Sequence, residues 1–294
     1  MIWHKVGAII FIFGFFLASC QPAAGNESPT AVPTTAPTVH LPTPTSQEST
    51  PTPTQEMESE PLVVSEPTDT AIPEMEMEET VTHEINEVVI SVDGLDLAST
   101  FYAPKNQPQP WPGVILLHML WGNRSSWNEF AIEFADAGFA VLSIDLRGHG
   151  ETGGAVDWES AESDLQQVWR YLTERPDIDP DRTAFVGASI GANLALISGA
   201  NEPAVHTVVL LSPGLSYAGV KTDAAMQSFG ERPVLIAASQ EDTYAANSSV
   251  ALEADALGES QIIMYEDAGH GIFMFQAEPE LSQVIIDWLD RFLN

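Results

Sequence analysis

A chain of 294 residues that is 44% hydrophobic carries enough apolar material for a sizeable core, which excludes a wholly disordered or fibrous protein. Forty-two acidic residues against ten basic ones leave a net charge of −32, a field that repels phosphate backbones and anionic surfaces and excludes nucleic-acid binding. Cys20 is the one cysteine, so no intrachain disulfide and no thiolate zinc site can be built.

The chain opens with a weakly basic start at His4 and Lys5, a twelve-residue apolar run from Val6 to Leu17, and the small residues Ala18 and Ser19. That is the pattern of an export signal, and the run is shorter than the roughly 20 apolar residues a membrane span needs. Leu17-Ala18-Ser19-Cys20 resembles the lipobox of bacterial lipoproteins. The resemblance implies removal of residues 1–19, lipidation of Cys20, and a place in the cell envelope at the extracytoplasmic face of a membrane. Each buried CH₂ of such an anchor contributes about 0.8 kcal/mol, so acyl chains hold the protein without a transmembrane helix.

Residues 20–83 are dominated by Pro and Thr, and eleven acids there meet no Lys or Arg. A segment so poor in apolar residues and so self-repelling reads as an extended, disordered tether. Residues 84–294 keep a net charge of −22 and make one domain of ordinary size.

Within that domain, Glu87 to Val92 and Leu97 to Tyr102 flank Asp93-Gly94 and read as a hairpin. Short, continuously apolar runs follow: Val114 to Leu117, Ala140 to Ile144, Thr183 to Val186, Thr207 to Leu211, Val234 to Ala238 and Gln261 to Tyr265. Runs of this kind sit buried on both faces of a parallel sheet. Ala161, Leu165, Val168, Trp169 and Leu172 mark one face of a helix, as do Leu281, Val284, Ile285, Trp288, Leu289 and Phe292 after Pro279. The alternation predicts a doubly wound, mostly parallel α/β fold, whose ligands bind beyond the carboxyl ends of the strands.

Four of those strand ends carry chemistry. Gly187-Ala188-Ser189-Ile190-Gly191 is G-x-S-x-G between a buried strand and a helix-forming run, the context in which a tight turn lifts a serine hydroxyl clear of the sheet. A serine nucleophile needs a base, and the base needs an acid. His270, in a glycine-flanked loop after the last strand, is the best placed of seven histidines. His4, His40 and His83 fall in the signal and tether, and His118, His149 and His206 read as structural. Asp242, just past Val234 to Ala238, is the expected acid, with Glu241 as its nearest competitor.

With the order Ser189, Asp242, His270, the domain resembles an α/β-hydrolase of the dienelactone-hydrolase and carboxylesterase-like branch. Leu117-His118-Met119-Leu120-Trp121-Gly122 stands where such proteins carry H-G-x-x-G, and Asp145-Leu146-Arg147-Gly148-His149-Gly150 resembles their D-x-R-G-H-G turn. The resemblance implies an oxyanion hole made by the backbone N–H groups of Ile190 and Leu120. Met119, in place of the usual glycine, leaves its own N–H as a rival to that of Leu120. The implied activity is hydrolysis of small or short-chain carboxylic esters, with no metal or organic cofactor. Thioester, amide or peptide cleavage on the same triad stays open, as does a non-catalytic binding module. Only about twenty residues, Pro213 to Pro233, are available for a lid, so a small one or none is expected. Tyr217, Met226, Phe229, Trp121 and Trp127 are candidates for a pocket lining or for ordinary packing. The oligomeric state is not legible.

Overall fold

A computed structural model describes residues 82–294. The expected signal peptide, Cys20 and nearly all of the tether lie outside the described residues. His83 does not belong to a tether: it opens the first strand, and its Nδ1 lies 2.7 Å from Asp136.

Eight strands form one sheet: β1 (His83–Val92), β2 (Leu95–Pro104), β3 (Trp111–Leu117), β4 (Ala140–Ile144), β5 (Ile178–Ala188), β6 (Val205–Leu211), β9 (Val234–Ser239) and β10 (Ser260–Tyr265). Two two-residue strands, β7 (Ser216–Tyr217) and β8 (Val220–Lys221), pair separately as a small flap. The sheet order is β1-β2-β4-β3-β5-β6-β9-β10. β1 and β2 are antiparallel, β2 runs antiparallel to β4, and every pairing from β4 to β10 is parallel. The hairpin turns at Asp93-Gly94, both at positive φ.

The side-chain period of two sorts each central strand between two cores. Ile115 and Leu117 of β3, Phe185 of β5 and Leu210 of β6 face α2 (Trp158–Thr173) and α3 (Ile190–Asn201). Val114, Leu116, Val186, Val209 and Leu211 face α1 (Asn128–Asp136), the short α6 (Met274–Ala277) and α7 (Leu281–Leu293). Both faces are therefore covered, which is why these strands read as unbroken apolar runs. The apolar stripe of α7 (Leu281, Ile285, Trp288, Leu289, Leu293) is buried, each fully buried aliphatic contributing about 1.5–3 kcal/mol. Trp288 also donates its indole N–H to Thr207 Oγ1 at 2.8 Å, tying that helix to β6.

α4 (Asp223–Phe229) and α5 (Thr243–Asp255) complete the helices. The stretch between β6 and β9 thus holds only the flap and α4. Three of the candidate pocket residues are not at a pocket: Trp127, Met226 and Phe229 are fully buried in the two cores. Each core takes bulky side chains to fill the space under its helices.

Candidate active site

β5 ends at Ala188, and α3 begins at Ile190. Ser189 alone makes the turn, at φ 56° and ψ −121°, a conformation that side chains other than hydrogen rarely adopt. Two glycines allow it by close approach rather than by unusual φ. A Cβ on Gly187 would fall on the Gly191 carbonyl and 2.7 Å from Ala192 N. One on Gly191 would fall on the Leu117 carbonyl and 2.6 Å from that of His118. The turn is fixed by Ser189 N–H, which donates to Leu211 O at 2.8 Å across to β6. Ile190 is first in its helix, so its N–H has no acceptor within the helix and sits at the positive end of the helix dipole.

The loop beyond β10 carries His270. Its Nδ1 is hydrogen-bonded to Asp242 Oδ2 at the start of α5. Glu241, the competing acid, goes elsewhere: its Oε1 accepts from Gly269 N at 2.6 Å. Its carboxyl is raised above the usual range, first by its hydrogen bond with Asp267. Gly271, at φ 59°, lies against the Ser189 turn. A Cβ there would stand 3.4 Å from Ala188 Cβ and from Met119 Sδ, and 3.8 Å from Ser189 N. The fold therefore brings the Ser189 turn, the His270 loop and Asp242 to adjoining strand ends.

The segment after β3 completes the site. Gly122 N–H donates to Met119 O at 2.9 Å, closing a turn with Leu120 and Trp121 at its corners. Met119 O also lies 2.7 Å from His118 Nδ1. Because a trans peptide sets C=O and N–H in opposite directions, the Leu120 N–H points away from that turn. His118 is fully buried, and its Nε2 accepts from Leu146 N at 3.0 Å, so the neutral ring carries its proton on Nδ1. Burial pushes this imidazole down from its ordinary value near 6.5 to about 4, partly offset by the hydrogen bond to Met119.

Behind this loop, buried Asp145 accepts from Arg124 N at 2.6 Å and from Glu151 N at 2.7 Å, and it pairs with the Arg124 guanidinium. Arg147 is held by Asp164 at 2.8 and 2.7 Å. The turn that follows β4 is thus a scaffold for the segment after β3. His149 lies tilted against His118, ring centroids 5.0 Å apart, and holds its own Nδ1 3.0 Å from Arg147 O, and His206 lies near a carbonyl at the surface.

Sequence reasoning missed the flap. Tyr217, in β7, presents its ring edge-on to His270, centroids 6.1 Å apart. Tyr244 accepts from Ser216 N and donates to Ser216 O, both at 2.9 Å, and meets Tyr217 edge-on. Buried Asn193 donates to Val220 O at 2.9 Å and accepts from Gly214 N at 3.0 Å. The Gly and Pro residues of this stretch signal turns, but nothing in two-residue strands signals pairing. Trp121, at a corner of the turn after β3, stands 89% exposed.

Comparison with known proteins adds the decisive observation: residues 97–285, which include Ser189, Asp242, His270 and the loops around them, match the model of the dienelactone hydrolase family. The chain belongs to that family. It is a hydrolase of ester-type substrates. An uncharacterized protein of Mycobacterium tuberculosis is 27% identical over 231 residues, covering 70% of this chain and 78% of that one. A dienelactone hydrolase from Anabaena variabilis superposes with a TM-score of 0.61 at 21% identity, over 72% of this chain and all of that one. An acetyl xylan esterase from Paenibacillus sp. R4 gives 0.64 at 18% identity, over 76% and 87%. These two structures share the fold of this dienelactone-hydrolase-family domain.

Proposed function

We propose that the protein is a serine esterase acting on small, short-chain carboxylic esters through a Ser189-His270-Asp242 triad and an acyl-enzyme. Ser189 Oγ attacks the ester carbonyl. His270 Nδ1–H donates to Asp242, which leaves Nε2 as the base that takes the serine proton and then delivers it to the leaving alkoxide. Asp242 holds the ring in that tautomer and stabilises the imidazolium. The N–H of Ile190 and that of Leu120 receive the oxyanion, each worth on the order of 10²- to 10³-fold in rate. Water then attacks the acyl-enzyme by the same steps in reverse.

What supports Leu120 over Met119 is the direction of two carbonyls. His118 O faces Gly191, so the Met119 N–H points away from the start of α3, whereas Met119 O is turned inward to Gly122 and His118. The observation that carries the whole reading is the junction of loops. His270 is bonded to Asp242 while the next residue, Gly271, packs on Ala188 and the Ser189 backbone. The shortness of the flap and α4, two two-residue strands and one seven-residue helix, supports short acyl chains, because little chain is there to wall a long one.

The test is fluorophosphonate labelling of the full chain beside Ser189→Ala, with p-nitrophenyl acetate, butyrate and palmitate turnover. Labelling and turnover are expected in the wild type only, with acetate and butyrate ahead of palmitate. A folded wild type that resists labelling would return the domain to the binding-module reading. Palmitate turned over as well as butyrate would remove the short-chain assignment.

The lipobox-like Leu17-Ala18-Ser19-Cys20 supports an anchor at the extracytoplasmic face of a membrane, with the chain from Cys20 up to the first strand as the tether. Metabolic labelling with a radioactive fatty acid should mark the wild type and not Cys20→Ser. Equal labelling of the two removes the anchor.

A further inference from the structure

The His270 loop leaves β10 through exposed Glu266 and Asp267 and then passes under the surface at Ala268 and again at Gly271, and backbone buried there must find acceptors for its amides. Two serines supply them. Ser239, the last residue of β9, accepts from Ala268 N at 2.9 Å, and Ser212, just beyond β6, accepts from Gly271 N at 2.9 Å. Both serines are fully buried. Their partners are the residues two before and one after the histidine, so the pair grips the backbone on each side of His270.

Ser212 is unusual in a second respect. It is one of four non-glycine residues at positive φ among the described ones, at 49°. Its N–H donates to Ala237 O at 2.7 Å, and its hydroxyl reaches Met274 Sδ at 3.9 Å as well as Gly271. Its carbonyl accepts from Tyr217 Oη at 3.2 Å. One strained residue therefore holds the histidine loop with its side chain and the tyrosine of the flap with its backbone. A serine kept in a strained conformation, where glycine would sit without strain, points to a use for the hydroxyl.

We propose that Ser212 and Ser239 are positioning residues for the proposed esterase reaction, a clamp that sets the approach of the His270 imidazole to Ser189 and, through Ser212, registers Tyr217 against it. This rests on the triad reading above. Neither serine touches the reacting atoms. Each acts through the loop that carries the base, where a misplacement near 1 Å costs about 10²-fold in rate.

Ser212→Gly separates the clamp from a merely structural role, because glycine accepts φ 49° without strain and removes only the hydroxyl and Cβ. In the full chain, Ser212→Gly is expected to melt no lower than Ser212→Ala, yet both should lose kcat for p-nitrophenyl butyrate by about 10- to 100-fold with KM little changed. The rate of fluorophosphonate labelling should fall in parallel. Ser239→Ala should behave alike, and Ser239→Thr, which keeps the hydroxyl, should recover most of the loss. Folded Ser212→Gly and Ser239→Ala with unchanged kcat would overturn the clamp, as would Ser239→Thr no faster than Ser239→Ala. An unlabelled, folded wild type would instead overturn the serine-hydrolase reading itself, so the two failures are distinguishable.

Discussion

Ser189 occupies a backbone region that is nearly glycine's alone, and the fold keeps it there through the bond from its N–H to Leu211 O and the two glycines that let the turn close. Such strain is stored where a reactive group must be presented, at a cost of about 1–3 kcal/mol. Replacing it with glycine should release that strain, while the added freedom of the unfolded chain takes back about 0.5–1 kcal/mol. Ser189→Gly is therefore expected to unfold at a denaturant midpoint equal to or above that of the wild type, by on the order of 1 kcal/mol, while losing all turnover. A variant less stable than the wild type would mean that the hydroxyl, and not the backbone, holds the turn. Met119 is the other residue at which this chain departs from the pattern it resembles. Its side chain fills the space beside Gly271, and its carbonyl closes the turn that carries Leu120, so the larger residue becomes a spacer between two loops of the site.

At the scale of elements, the segment after β3 and the turn after β4 stand or fall together through His118, which joins Met119 O to Leu146 N. The burial that holds this imidazole near 4 leaves it neutral in the folded protein when the unfolded chain already binds a proton near 6.5. Its contribution is thus fully present above pH 6.5 and is lost as pH falls toward 4, a change of about 3 kcal/mol across that window. Urea unfolding of the wild type at successive pH values should show this loss. His118→Asn, which keeps a donor near Met119 O and cannot titrate, should be weaker at neutral pH and flatter on acidification. Equal slopes in the two proteins would place the acid sensitivity elsewhere. The same scale explains what could be read in advance. Strands buried on both faces announce themselves as apolar runs, and α2 and α7 show their stripes. α5 does not, because the inward positions Ala245, Ser248, Ser249 and Leu252 have helical spacing but are small or hydroxylic. α1 spans nine residues with only Ala131, Phe134 and Ala135 buried, too short a pattern to stand out. Ser189, His270 and Asp242 were legible because each follows a legible strand; Ser212, Ser239 and the flap were not, since serine at a strand end carries no signal of its partner.

For the whole molecule the governing quantity is charge. The nine described cations are nearly all engaged: Arg124 with Glu87, Asp145 and Glu151, Arg147 with Asp164, Arg175 with Asp177, Arg182 with Asp179, Arg291 with Glu259 and Lys105 with Glu84. Arg232 is spent on the carbonyls of Phe229, Gly199, Glu202 and Val205. With 42 acids in the chain, most carboxylates have no counter-charge and repel one another, which works against the compact state. Salt acts on this long-range repulsion more than on the short pairs, because the Debye length shrinks from about 30 Å at 0.01 M to about 8 Å at 0.15 M. Sodium chloride should therefore raise the melting temperature across that range by about 2–4 °C, the shift that roughly 1 kcal/mol produces in a domain of this size. Calorimetry in sodium chloride tests this, chloride being preferable to sulfate, which strengthens apolar burial in any protein. A melting temperature that falls with salt would show that the ion pairs behind the segment after β3 outweigh the repulsion of the whole. The acidity would then be a matter of solubility alone.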